Sequence, residues 1–174
     1  MQEIEVKILE IDVATIEKRL AEIGATKEFE HEFKAIFYDF PDGRIVQNKE
    51  LIRLRKEGPQ SVLTHKKALP SSTVKIMEET EIEVADFEVM DQILCKMGLL
   101  RTKETHKIRA QFQFRKVHIV IDNYQGDLAN IPPFLEIEAS NQTELEEMVE
   151  ILGFRQEHCR NWNTYDLVKH YGLS

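Results

Sequence analysis

The tripeptide Glu-Ile-Glu recurs at Glu3–Glu5, Glu81–Glu83 and Glu136–Glu138, and this repeat restricts the folds open to the chain. Polar and apolar residues alternating with a period of two are the pattern of a β-strand. Both glutamates of each copy then share one face and the isoleucine takes the other. Each copy is followed by an amphipathic stretch that stops near a glycine, Gly24, Gly98 or Gly153. Strands charged on one side and apolar on the other need helices to cover the apolar side. Paired carboxylates on three strands suggest a site for hard cations, which take oxygen ligands. The first copy continues as Glu3-Ile4-Glu5-Val6-Lys7, adding a lysine to the carboxylate face.

The pattern predicts a strand over Glu3–Leu9 and a helix N-capped by Asp12, with Val13, Ile16, Leu20 and Ile23 as its apolar stripe and Gly24 as its stop. Strands are expected near Glu28–Tyr38 and Glu50–Lys56, separated by a turn at Pro41-Asp42-Gly43, and again over Ser61–Ala68 and Val74–Val84. Asp86 starts a second helix bearing Phe87, Met90, Ile93, Leu94 and Met97, both methionines reading as core. Strands follow at Thr102–Phe114, Lys116–Asn123 and Phe134–Ala139. A third helix carries Leu145, Met148 and Leu152, and a last one lies near Trp162–Tyr171. The order strand, helix, glycine, strands occurs twice, from Glu3 and from Glu81, which hints at a duplicated half. Short turns favour an antiparallel sheet. With no low-complexity linker, one domain over residues 1–174 is the expectation.

Composition narrows the function. A formal charge of −8 over 174 residues argues against a broad nucleic-acid surface, which needs a basic stripe. No apolar run approaches a membrane span, and Met1 leads directly into a charged strand, so a cytoplasmic chain is expected. The two cysteines, Cys95 and Cys159, form no metal or disulfide framework. The six histidines make no HExxH or finger spacing, and no GxxxxGK[ST] loop is present.

The striping continues elsewhere. Arg53 and Arg55 share a face, as do Lys107 and Arg109, and Lys66 follows Thr64 in the same sense. Glu79, Glu81 and Glu83 share a face, and Asp122 ends an alternating strand with His118 and Val120 on its side. A single wet sheet face is common without function. If helices cover the apolar face and the sheet curls shut, however, the charged faces become a lining of both signs. Carboxylates hold divalent metal and basic groups meet the oxygens of a polyanion, so a metal-bound polyphosphate suits both.

The run Glu3-Ile-Glu-Val-Lys7 resembles the ExExK signature of the CYTH family, the triphosphate tunnel metalloenzymes. The resemblance extends along nearly the whole chain: Leu51-Ile-Arg-Leu-Arg55, Leu63-Thr-His-Lys66, Thr80-Glu-Ile-Glu83, Lys107-Ile-Arg109, Ile119-Val-Ile-Asp122 and Phe134-Leu-Glu-Ile-Glu138 fall in family order, with Tyr165 in the last helix. It implies an α+β fold, a closed antiparallel β tunnel of about eight strands with helices packed outside. It also implies metal binding by Glu3, Glu5, Asp122, Glu136 and Glu138, and substrate binding by Lys7, Arg53, Arg55, Lys66, Lys107 and Arg109. Glu5, Lys66 and Arg55 would act in catalysis, with Mg²⁺ or Mn²⁺ as cofactor. The implied activity is hydrolysis of an inorganic or organic triphosphate. The alternatives are a class IV adenylate cyclase making 3′,5′-cyclic AMP and a non-catalytic polyphosphate- or nucleotide-binding module. A small-molecule triphosphate is the expected partner, with neither nucleic acid nor membrane, and a homodimer is left open. Two features depart from the family pattern. Gly126–Pro133 replaces a shorter approach to the last glutamate strand, and Ala35 stands where cyclase-like members tend to carry Asp.

Overall fold

Alternating side chains become strands wherever the sequence repeats them. The computed structural model describes residues 4–69, 76–162 and 164–173. Its strands are β1 (Ile4–Ile8), β2 (Thr26–Asp39), β3 (Glu50–Glu57), β4 (Gln60–Leu69), β5 (Ile76–Glu83), β6 (Leu100–Phe114), β7 (Val117–Gln125), β8 (Phe134–Ala139) and β9 (Cys159–Arg160). The helices are α1 (Val13–Glu22), α2 (Arg44–Gln47), α3 (Phe87–Lys96), α4 (Gln142–Ile151) and α5 (Thr164–His170). The fold is α+β. Nine strands form one sheet in the hydrogen-bonded order β5-β4-β3-β2-β6-β7-β8-β1-β9. That order ends on two edge strands, so among the described residues no ladder of hydrogen bonds closes the sheet. No helix among them is long and apolar enough to cross a membrane.

The chain forms two compact units, one running up to His31 and resuming from Lys107, the other spanning Glu32–His106. In the first, Ile8 of β1, Ile119 and Ile121 of β7, and Leu135 and Ile137 of β8 put one sheet face against Ile16 and Leu20 of α1 and Leu145, Met148 and Val149 of α4. Burying each such side chain stabilises the unit by about 1.5–3 kcal/mol. Asp12 caps α1 as expected, accepting from the Thr15 amide at 2.8 Å, and Asn141 caps α4 through the Glu144 amide at 3.0 Å. Tyr124, Leu128, Ile131 and Phe134 receive Leu167 of α5 in a smaller cluster.

In the second unit, Ile36 and Tyr38 of β2 and Leu54 of β3 pack on Phe87 and Leu94 of α3, whose N-cap is Asp86, accepting from the Val89 amide at 2.9 Å. The expected apolar stripe of α3 is only partly core. Phe87 and Leu94 are buried, but Ile93 is exposed and Met97 is 67% exposed. Met97 is the C-cap residue rather than a member of the last turn. The turn expected at Pro41-Asp42-Gly43 is present, and the short helix α2, not expected from the sequence, follows it. Turn and helix are organised by buried Asp39, which accepts from the amides of Phe40, Ile45 and Val46 at 2.7, 2.9 and 3.1 Å.

Buried Asp91 of α3 accepts from the Tyr38 hydroxyl at 2.8 Å and from Arg101 Nε at 2.8 Å. The Arg101 bond holds its carboxyl below the usual range despite burial, with the tyrosine helping. A depressed folded value makes this contribution present above the unfolded pKa and lost as pH falls through the folded one. Asp91→Asn is therefore expected to flatten the loss of stability as pH falls below the ordinary aspartate range, measured by urea melts. An unchanged acid limb would refute this.

Candidate active site

The first unit builds its charged face from four strands. In the β1–β8 ladder Glu5 lies opposite Glu138 and Lys7 opposite Glu136. In the β7–β8 ladder His118 lies opposite Glu138 and Val120 opposite Glu136. Residues directly opposite project to the same side, so the two glutamate strands become neighbours. Glu5, Glu136 and Glu138 each offer an oxygen, all within 4.8 Å of one another.

Cations from β1 and β6 enter the same face. Buried Lys7 lies 2.7 Å from Glu5 and 3.3 Å from Glu136. Burial alone would lower its pKa, but Glu136 and Glu5 outweigh it and hold the ammonium above its ordinary value. Arg109 grips Asp122 through Nε at 2.7 Å and Nη2 at 2.6 Å, and reaches Glu136 at 3.4 Å. Lys107 donates to the same Asp122 at 2.6 Å. Burial pushes Asp122 up, but Lys107 and Arg109 prevail and keep it an anion. Burial lowers Lys107 despite Asp122. Asp122 thus sits as the counter-charge of two cations, while Glu5, Glu136 and Glu138 form the metal-competent group.

The three carboxylates suit a hard divalent ion. All are oxygen donors, and Glu136 is raised by burial, with repulsion from Glu5 and Asp122 partly offsetting the pull of Lys7 and Arg109. A divalent cation among them would relieve that repulsion. Glu3 lies outside the described residues.

The second unit carries a charged face of its own. Arg53 of β3 pairs in register with Thr64 of β4, which pairs with Glu81 of β5, and Lys66 pairs with Glu79. Thr64 donates to Glu81 at 2.6 Å and Lys66 to Glu79 at 2.7 Å, while Arg55 contacts Glu57. Register puts Glu79, Glu81 and Glu83 on the same side as the arginines. Lys67 turns to the other side, 3.1 Å from Glu50. Arg53 is poorly neutralised: its nearest carboxylate, Glu81, is 3.8 Å away, and its Nε is buried without a hydrogen-bond acceptor among the described residues. Burial and then the neighbouring Arg55 depress its pKa.

Glu57 was not singled out by sequence, although it continues the Arg53, Arg55 alternation. Tyr124 was also missed. Its buried hydroxyl lies 3.4 Å from Thr164 Oγ1, and its ring is 5.8 Å from Lys107 Nζ. Trp162 packs with the α5 cluster, whereas Tyr165 is 71% exposed.

Residues 1–159 match the family model described as the CYTH domain. A Methanocaldococcus jannaschii protein provisionally named an adenylate cyclase is 29% identical over 161 residues, covering 87% of this chain and 88% of its own length. A solved structure from Vibrio parahaemolyticus, also provisionally named an adenylate cyclase, has a TM-score of 0.74 at 18% identity, covering 96% of this chain and 97% of its own. The Hippeastrum protein HpAC1, provisionally named an adenylyl cyclase and described as having a dominant triphosphatase activity, has a TM-score of 0.69 at 16% identity. It covers 99% of this chain and 97% of its own. At these identities the two solved structures share the fold.

Proposed function

The chain belongs to the CYTH family, and from that premise we propose that it hydrolyses a triphosphate in a divalent-metal-dependent reaction. The observation that carries the proposal is the grouping of Glu5, Glu136 and Glu138 within 4.8 Å, flanked by Lys7 and Arg109 on one sheet face. Mg²⁺ or Mn²⁺ would be held by these three carboxylates and would supply charge neutralisation at phosphate oxygens.

The protein's own groups do the remaining work. Phosphoryl transfer asks chiefly for alignment and electrostatic stabilisation. Lys7 and Arg109 neutralise phosphate oxygens beside the carboxylates, and Asp122 keeps Arg109 and Lys107 oriented. Arg53, Arg55 and Lys66 are assigned phosphate contacts, a role that the unfilled Arg53 Nε donor supports. Glu5, the most exposed of the three carboxylates, is assigned to orient the attacking water. Water oxygen bonds to the terminal phosphorus, the anhydride P–O bond breaks, the diphosphate leaves with the bonding pair, and orthophosphate is released.

Cyclase names among the relatives keep a second reading in view. In that reaction the ribose 3′-hydroxyl attacks and pyrophosphate leaves. Against it, Ala35 rather than a carboxylate lies opposite Arg55 in the β2–β3 ladder. Product analysis with Mg²⁺ or Mn²⁺ and tripolyphosphate, ATP or thiamine triphosphate decides the matter. Orthophosphate abolished by EDTA is expected. Cyclic AMP from ATP would move the assignment to a cyclase, and binding without product would reduce the protein to a binding module.

A further inference from the structure

Beside the apolar side of β1 lies a cavity of about 580 Å³ in the first unit, lined by none of the carboxylates or cations assigned above. Its volume is that of small-molecule sites. Arg19 enters it from α1 and Arg160 from β9, while Trp162, Phe154 and Ile11 supply aromatic and apolar wall.

The charge balance of this cavity is unusual for the molecule. Among the described residues every other arginine lies within 3.8 Å of a carboxylate, whereas Arg19 and Arg160 do not. Arg19 Nη1 donates to the Leu152 carbonyl at the end of α4, and Arg160 Nη1 donates to the carbonyls of Glu157 and Cys159 at 2.7 and 2.9 Å. Carbonyls fix a guanidinium in place but leave its charge unneutralised. They also leave Nε and Nη2 of both arginines without an acceptor among the described residues. The two carboxylates lining the cavity are already committed, Asp12 to capping α1 and Glu10 to the Tyr171 hydroxyl at 3.1 Å. Position 153 fits this arrangement. Gly153 takes a left-handed φ of +78°, and a Cβ there would meet the Arg19 guanidinium, which rests against the end of α4 in the space left free.

We propose that this cavity is a second anion site, taking a small phosphate-bearing molecule, either free phosphate or the phosphate group of an organic monoester. Two guanidinium forks match the charge of a phosphate dianion and its several acceptor oxygens. The aromatic and apolar wall can accept the body of an ester.

Trp162 is the only tryptophan of the chain, and the Arg160 guanidinium carbon lies 5.9 Å from its ring centroid. Indole fluorescence therefore reads this cavity directly. The full chain, free of divalent metal, would be titrated with inorganic phosphate and with ribose 5-phosphate, against sodium chloride at matched ionic strength. A saturable emission change is expected, with affinity at least about tenfold weaker in Arg160→Gln and in Arg19→Gln. Arg19 also holds the end of α4, so thermal melts accompany both variants. Arg160, exposed on an edge strand, supplies the variant that keeps the fold. Tighter binding of ribose 5-phosphate identifies an organic ester as ligand, and equal binding identifies free phosphate. No saturable response, or a response unchanged in both variants, would overturn the proposal.

Discussion

Glu136→Gln is expected to cut metal-dependent turnover at least about 100-fold while leaving the fold intact. Glu136 is the member of the carboxylate trio buried deepest, at 7% exposure, and it lies between Lys7 at 3.3 Å and Arg109 at 3.4 Å. Glutamine keeps the shape but removes the charge, and its amide nitrogen presents a donor to groups that are themselves donors. Loss of a group that only supports a metal ligand costs about 10–100-fold, and loss of a ligand itself should cost no less. Stability should change little, because each cation keeps another partner: Lys7 retains Glu5, and Arg109 retains both bonds to Asp122. Steady-state kinetics over a metal titration, beside a melt in EDTA, separate the two effects. Turnover within about threefold of the parent would remove Glu136 from the site; on the energy scale of catalysis that is well under 1.4 kcal/mol.

The features that sequence made legible share a physical reason, as do those it did not. Ile4, Val6 and Ile8 against Glu5 and Lys7 reveal β1 because a strand exposes its two faces alternately, and the burial of the apolar set against α1 and α4 follows from that pattern. Asp12 and Asp86 were legible as caps because a short acceptor before an apolar stripe has few other uses. Asp39 was not. Its three amide partners lie up to seven residues onward in a turn whose sequence gives no periodicity. Two-residue β9 was missed for a similar reason, since Cys159 and Arg160 show no alternation and pair with β1 from far along the chain. The pairing of Asp122 with Lys107 and Arg109 depends on how β6 and β7 lie together, which individual strand patterns do not encode. Alternation placed all three on charged faces. Only the structure separates the carboxylate that balances cations from the three that stand close enough to share one.

That separation predicts a second large effect. Asp122→Ala should destabilise the protein by about 3–5 kcal/mol, because it takes a buried counter-charge at 2.6 Å from two cations at once. Asp122 is 1% exposed and accepts from both Lys107 and Arg109. For a chain of this length the loss corresponds to roughly 6–20 °C in melting temperature. Arg109 keeps Glu136 at 3.4 Å, so the larger share of the cost falls on Lys107, whose pKa burial already depresses. Glu136 still attracts it at longer range, and release of its proton would limit the cost further. Replacing Lys107 with an apolar group of similar length removes a largely buried charge instead of neutralising it. Lys107→Met in the Asp122→Ala background should therefore restore much of the lost stability, while turnover stays low if Lys107 meets phosphate as its family position implies. A melt of Asp122→Ala within about 2 °C of the parent would refute the buried-pair account. A double variant no more stable than Asp122→Ala would show that the loss came from the cavity left by the carboxylate, not from the charge beside it.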